Sequence, residues 1–94
     1  MKVRFTHLAF SPEKIEEAKQ VYTIEIAPVI RAHKGNREVL FLESEKAPEE
    51  FISCTVWETE EDLKAFEESP EYRQVIGRIK QLATRAEQKY YTVV

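Results

Sequence analysis

Two tripeptides divide this chain. Ser11-Pro12-Glu13 and Ser69-Pro70-Glu71 each set a hydroxyl side chain, a proline and an acid in a row. The hydroxyl can accept from the free N–H groups of a first helical turn. Proline suits the first helical position, and an acid complements the positive end. Each run is therefore expected to open a helical segment. After the first, Ile15, Ala18, Tyr22, Ile26 and Val29 recur at steps of three or four, as one buried stripe requires. Pro28 removes a donor and disfavours helical geometry at Ala27, so a kink or break is expected there. Gly35-Asn36 ends the stretch. After the second run the stripe is Tyr72, Val75, Ile76, Ile79 and Leu82. Just before it, Thr59 is placed to cap a segment opened by Glu60, Glu61 and Asp62, with Leu63 and Phe66 pointing inward. Gly77 costs this helix about 1 kcal/mol against alanine. Close packing against a sheet would explain it.

The remaining apolar stretches alternate as strands do. They are KVRFTHLAF at the start, REVLFLESEK, EEFISCTVWE and a final QKYYTVV. KAPEE joins the second to the third as a turn, so those two are expected to form an antiparallel hairpin. The order is β-α-β-β-α-β over a single domain, residues 1–94. It predicts an α+β, ferredoxin-like fold with one four-stranded antiparallel sheet and both helices on one face.

Helices on one face leave the other bare. Alternation along the strands sorts the side chains into two sets. One set is Val3, Phe5 and His7 with Ser53, Thr55 and Trp57. The other is Thr6 and Leu8 with Leu40, Leu42, Ile52, Cys54, Val56, Tyr91 and Val93. Both are largely apolar, whereas a wet face should be polar. A second copy is expected to cover it, giving a homodimer through the open sheet face. A bulge that slipped one strand by a residue would scramble these sets.

Composition removes several function classes. Fourteen basic and 17 acidic residues are spread along the chain, for a formal charge of −3. That is a poor match for nucleic acid or for an anionic membrane surface. The one cysteine, Cys54, excludes an intrachain disulfide. No apolar run is long enough for a signal peptide or for the roughly 18 residues of a membrane span. A soluble cytoplasmic protein is expected. There is no phosphate loop, no GxGxxG and no serine-nucleophile motif. The acids of ETEEDLKAFEESPE have no histidine at ligand spacing, so neither a metal nor a nicotinamide or flavin site is expected.

EIAPVIRAHKGNREVLFLES followed by FISCTVWETEEDLKAFEESPEY resembles the antibiotic biosynthesis monooxygenase-like domain family. Gly35, the Trp57-Glu58-Thr59 junction, Ser69-Pro70 and Tyr72 occur in the family's order. The resemblance implies a dimeric α+β barrel with a cavity between sheet and helices in each subunit. It implies Trp57 at that cavity, although a tryptophan here is also a natural core anchor. The family includes cofactor-free oxygenases of quinols, haem-degrading enzymes and enzymes of small phosphorylated compounds. Haem is not expected, because Ile76 stands near the place of the relatives' iron-ligating histidine and the last helix has no histidine.

The expected function is oxidation of a small electron-rich aromatic by O2 without a cofactor. His7 is the expected base or orienting donor, with Trp57 and Tyr72 as donors to substrate oxygens. Phe5, Ser53, Thr55, Phe66 and Ile76 are the expected lining. His33 is expected to be exposed near the end of the first helix. The alternatives are a non-catalytic dimeric module that binds a small molecule or is purely structural, and isomerase-like handling of a small phosphorylated or keto compound. The last would need Arg73 aimed into the cavity.

Overall fold

The strand-like segments pair as one antiparallel sheet in the order β2-β3-β1-β4. A computed structural model describes all 94 residues. Along the chain come β1 (Lys2–Phe10), α1 (Ile15–Val21), α2 (Ala27–Arg31), β2 (Asn36–Glu43), β3 (Glu50–Trp57), α3 (Glu60–Glu67), α4 (Pro70–Leu82) and β4 (Ala83–Thr92). This is the expected α+β, ferredoxin-like arrangement. β4 begins at Ala83 rather than Gln88, directly after α4 and through an irregularity opposite Ala9 and Phe10. Its first half is polar and hides its periodicity. No helix is long and apolar enough to cross a membrane.

The helical punctuation is used unevenly. The Thr59 hydroxyl accepts from the Asp62 N–H at 3.1 Å, and the Ser69 hydroxyl accepts from the Tyr72 N–H at 3.2 Å. Ser11 makes no such cap: a single 3-10 turn, Pro12–Lys14, leads into α1 instead. Nor does Pro28 break its helix. Proline cannot donate to the carbonyl four residues back, and its ring crowds that carbonyl. The chain widens upstream into a π turn, Tyr22–Ile26, in which the Ala27 N–H bonds to the Tyr22 carbonyl. Helical winding then continues through α2.

The core lies between the helices and one sheet face, with an aromatic group at each end. At one end Tyr22 stacks on Phe41 at 4.1 Å, and Phe51 packs on Phe41 and Phe10. At the other Trp57 stacks on Phe66 at 5.0 Å, and Tyr72 meets Phe66 edge-on. His33 belongs to this second group, 5.2 Å from Phe66 between ring centres, and is not the exposed residue expected.

The sheet register corrects the expected faces. Thr6 stands opposite Ser53, Phe5 opposite Cys54 and His7 opposite Ile52. Directly paired residues share a face. Thr6 and Leu8 therefore look toward the helices with Ser53, Thr55 and Trp57. Val3, Phe5 and His7 look the other way with Leu40, Leu42, Ile52, Cys54, Val56 and Tyr91. Alternation fixes sides within a strand, but only pairing relates one strand to the next. Gly77 is corrected too: it is exposed, and a side chain added there would meet nothing within 4 Å.

Candidate functional site

β1 and β3 run side by side in the middle of the sheet, with Arg4 opposite Thr55 and Thr6 opposite Ser53. Those four residues face the helices and are buried, Arg4 to 5% exposure. A polar floor under an apolar helix layer is unusual, because buried polar groups need partners. Tyr22 and Ser53 share a hydrogen bond of 2.5 Å between the π turn and the sheet. Burial pushes the Tyr22 hydroxyl upward in pKa, against the lowering effect of that bond.

A cavity of about 20 Å³ lies over the floor, bounded by Ile26, Ile30, Phe66, Tyr72, Val75, Ile76 and Ile79. That is room for roughly one water. The Ser69 cap sets where α4 begins and so brings Tyr72, in its first turn, over Arg4. Arg4 Nη2 donates to the Tyr72 hydroxyl at 2.7 Å, and Gln88 Nε2 donates to the same oxygen at 2.9 Å. Arg4 Nη1 lies 3.4 Å from a Glu67 carboxylate oxygen, which also accepts from the Tyr90 hydroxyl at 2.6 Å. Burial and that carboxylate push the Tyr90 pKa up to about 12. The buried Arg4 Nε–H has no partner.

Of the residues expected at the site, Ser53, Thr55, Phe66, Tyr72 and Ile76 line this cavity. Trp57 is fully buried behind the wall. Its indole N–H donates to the Thr55 hydroxyl at 3.0 Å, so it holds that hydroxyl in place while Phe66 rests on its ring. His7 and Phe5 are elsewhere. His7 borders a surface pocket of about 250 Å³ on the open sheet face, with Leu42, Ile52 and Arg85. Phe5 meets Tyr91 edge-on at 5.4 Å on that face. The expectation that His7 shares a face with Trp57 is overturned by the register.

Sequence reasoning passed over Arg4, Thr6 and His33. Arg4 was legible in one way: it shares parity with Thr6, Leu8 and Phe10, a buried series. His33 packs edge-on against Trp57 and Phe66, its Nε2 lies 3.4 Å from Glu71, and its buried Nδ1 lacks a partner. No three His, Cys, Asp or Glu side chains gather as a metal site would need.

A profile of the antibiotic biosynthesis monooxygenase family matches residues 1–78. No curated protein sequence matches the chain. A structure from Deinococcus radiodurans, assigned as an antibiotic biosynthesis monooxygenase, superposes with a TM-score of 0.89 at 22% identity, covering 100% of this chain and 93% of that one. A second, from Nitrosomonas europaea with the same assignment, gives 0.83 at 20%, covering 100% and 99%. A point variant of MhuD with two manganese protoporphyrin IX bound per active site gives 0.83 at 21%, covering 100% and 95%. At these identities the likenesses establish a shared fold.

The cavity here does not suit a haem. Its lining includes no imidazole and no thiolate. Tyr72 is the remaining side chain that could ligate iron, and its oxygen already accepts from Arg4 and Gln88. Fold and profile nevertheless agree, and the chain belongs to the antibiotic biosynthesis monooxygenase family.

Proposed function

We propose that this protein is a cofactor-free monooxygenase that oxidises a small electron-rich, quinol-like aromatic with O2 in the cavity between sheet and helices. The observation that carries the reading is the Tyr72 hydroxyl. Its oxygen accepts two hydrogen bonds, so its own proton is left to donate to a ligand at the cavity wall. An ionised phenol can pass an electron to O2 directly. The resulting pair joins as a peroxide at a ring carbon and collapses to a carbonyl. One oxygen atom stays in that carbonyl. The other leaves as water, with the ring hydrogen and the phenolic proton.

The protein's part is to hold the ring against Phe66 and the isoleucines, orient its oxygens by Tyr72 and the floor hydroxyls, and exclude water. Trp57 acts in this scheme through Thr55. The base role expected of His7 is dropped from the proposal, since the register sets His7 on the other face. The homodimer through the open face belongs to the same proposal.

A second reading, a non-catalytic binding module, is favoured by the small volume of the cavity and by the satisfied Trp57 N–H. The isomerase-like reading has less support, because Arg73 is exposed.

Oxygen uptake by metal-free protein over a panel of quinols and polyhydroxy-aromatics decides between them. Uptake above autoxidation is expected, reduced about tenfold or more in Tyr72→Phe and to a lesser degree in Trp57→Phe. A loss confined to His7→Ala would overturn the assignment to this cavity. Autoxidation rates throughout would leave the binding module.

A further inference from the structure

We infer that Arg4 is the anion-binding residue of this cavity, and that its ligand is a small aromatic monoanion whose ionised oxygen sits on the floor. The inference rests on the cavity being the ligand site, but not on any oxidation there.

Buried arginine is rare unless fully paired. Arg4 has a side-chain exposure of 6% and is only partly paired. Its ion pair with Glu67 spans 3.4 Å, on the rim side, where Glu67 is 23% exposed. The same carboxylate oxygen is already engaged at 2.6 Å by Tyr90. The Tyr72 ring lies 4.7 Å from the guanidinium carbon, and its hydroxyl takes one Nη hydrogen. The Nε hydrogen is buried with no acceptor. A buried donor left unmade is destabilising, and a ligand oxygen would relieve it.

The rest of the lining points the same way. No residue around the cavity is acidic, and Arg4 is the single cation. Thr6, Ser53, Thr55 and Tyr72 add hydroxyls that can donate to an oxyanion. In a low-dielectric space, a cation whose one counter-charge lies at the rim and is shared with Tyr90 favours an anion over its neutral isostere. The apolar wall of Ile26, Ile30, Phe66, Val75, Ile76 and Ile79 selects a ring to carry it. The half-buried Tyr72 and Ile76 are where the wall must give for a ring to enter.

The test uses 4-nitrophenol, whose anion is yellow and too electron-poor to be oxidised readily, with the reaction kept free of O2. Bound nitrophenol is expected to ionise at lower pH than free nitrophenol. The neutral 4-nitroanisole should bind about tenfold or more weakly. Arg4→Gln is expected to erase that preference and leave nitroanisole binding intact. Glu67→Gln removes the competing carboxylate and should tighten nitrophenolate binding several-fold. A purely structural ion pair would move neither ratio.

Equal affinity for anion and neutral probe overturns the inference. So does a parallel loss of both probes in folded Arg4→Gln, or weaker anion binding in Glu67→Gln. If Arg4→Gln fails to fold, Glu67→Gln alone decides. Benzoate competition separates the oxyanions: displacement of nitrophenolate adds carboxylates, and no displacement restricts the site to phenolates. Selective anion binding without oxygen uptake would sustain Arg4 while removing the oxygenase. Uptake without anion selectivity would do the reverse.

Discussion

Tyr90 couples the cavity's polar floor to the protein's surface. It is about half exposed, yet its hydroxyl donates to Glu67 and, at 3.3 Å, to Gln88. Burial first, and the Glu67 hydrogen bond second, hold its pKa near 12, above the usual value of 10. The raised value means that the folded protein favours the neutral phenol. That contribution is fully present below about pH 10, where both states keep the proton. Between about pH 10 and about pH 12 the unfolded chain loses its proton and the folded chain does not, so stability falls as pH rises. Denaturant midpoints across this window are expected to descend more steeply in the natural protein than in Tyr90→Phe. Equal slopes would remove the assigned environment. At this scale the sequence was legible for Tyr72, Phe66, Ser53, Thr55 and Ile76, which carry helical or strand periodicity into the core. Arg4 was legible only through its parity with Thr6, Leu8 and Phe10. Nothing in alternation tells which face of β1 meets Trp57, so Val3, Phe5 and His7 were grouped with Trp57 until pairing related the strands.

The two glycines carry opposite predictions at the level of elements. Gly35 follows α2 with a positive φ of 84°, and its carbonyl accepts from the Glu58 N–H at 2.8 Å. A side-chain carbon there would come 2.5 Å from the Asp62 β-carbon, close to the capped start of α3. Gly35→Ala is therefore expected to cost about 1–3 kcal/mol or more. Gly77 faces open space in the middle of α4, so Gly77→Ala should stabilise by roughly 0.5–1 kcal/mol through helix propensity. Chemical denaturation checks both signs, and a destabilising Gly77→Ala would mean that something packs on that face. The element order followed from alternation, capping residues and Gly35-Asn36, all of which act locally. The π turn did not. Pro28 announces a disturbance, but whether the chain bends or widens depends on what holds it from outside, and here the Tyr22–Ser53 bond anchors the turn to β3.

Across the whole molecule, the sheet face away from the helices is the unfinished surface. Val3, Phe5, Ile52, Cys54 and Val56 run across its middle, and Leu40, Leu42 and Tyr91 lie toward its edges with 45%, 41% and 51% of their surfaces exposed. Four strands at about 4.8 Å spacing and eight residues at about 3.4 Å rise give a face of roughly 500 Å² in projection. Glu87 and Lys89 of β4 share this face, opposite His7 and Phe5. The apolar band that remains across β1, β2 and β3 is of the size that often marks an interaction site. The proposed second copy would cover it face to face, leaving each cavity on an outer layer. The prediction is a homodimer in sedimentation equilibrium at micromolar concentration. Leu40→Glu with Leu42→Glu should yield folded monomers, because both side chains are already half in water and a lone subunit tolerates charge there. Four buried glutamates facing across a two-fold interface would not be tolerated. A monomeric natural protein would mean that the face is covered by something other than a second copy. A dimer that survives the double substitution would place the interface away from β2.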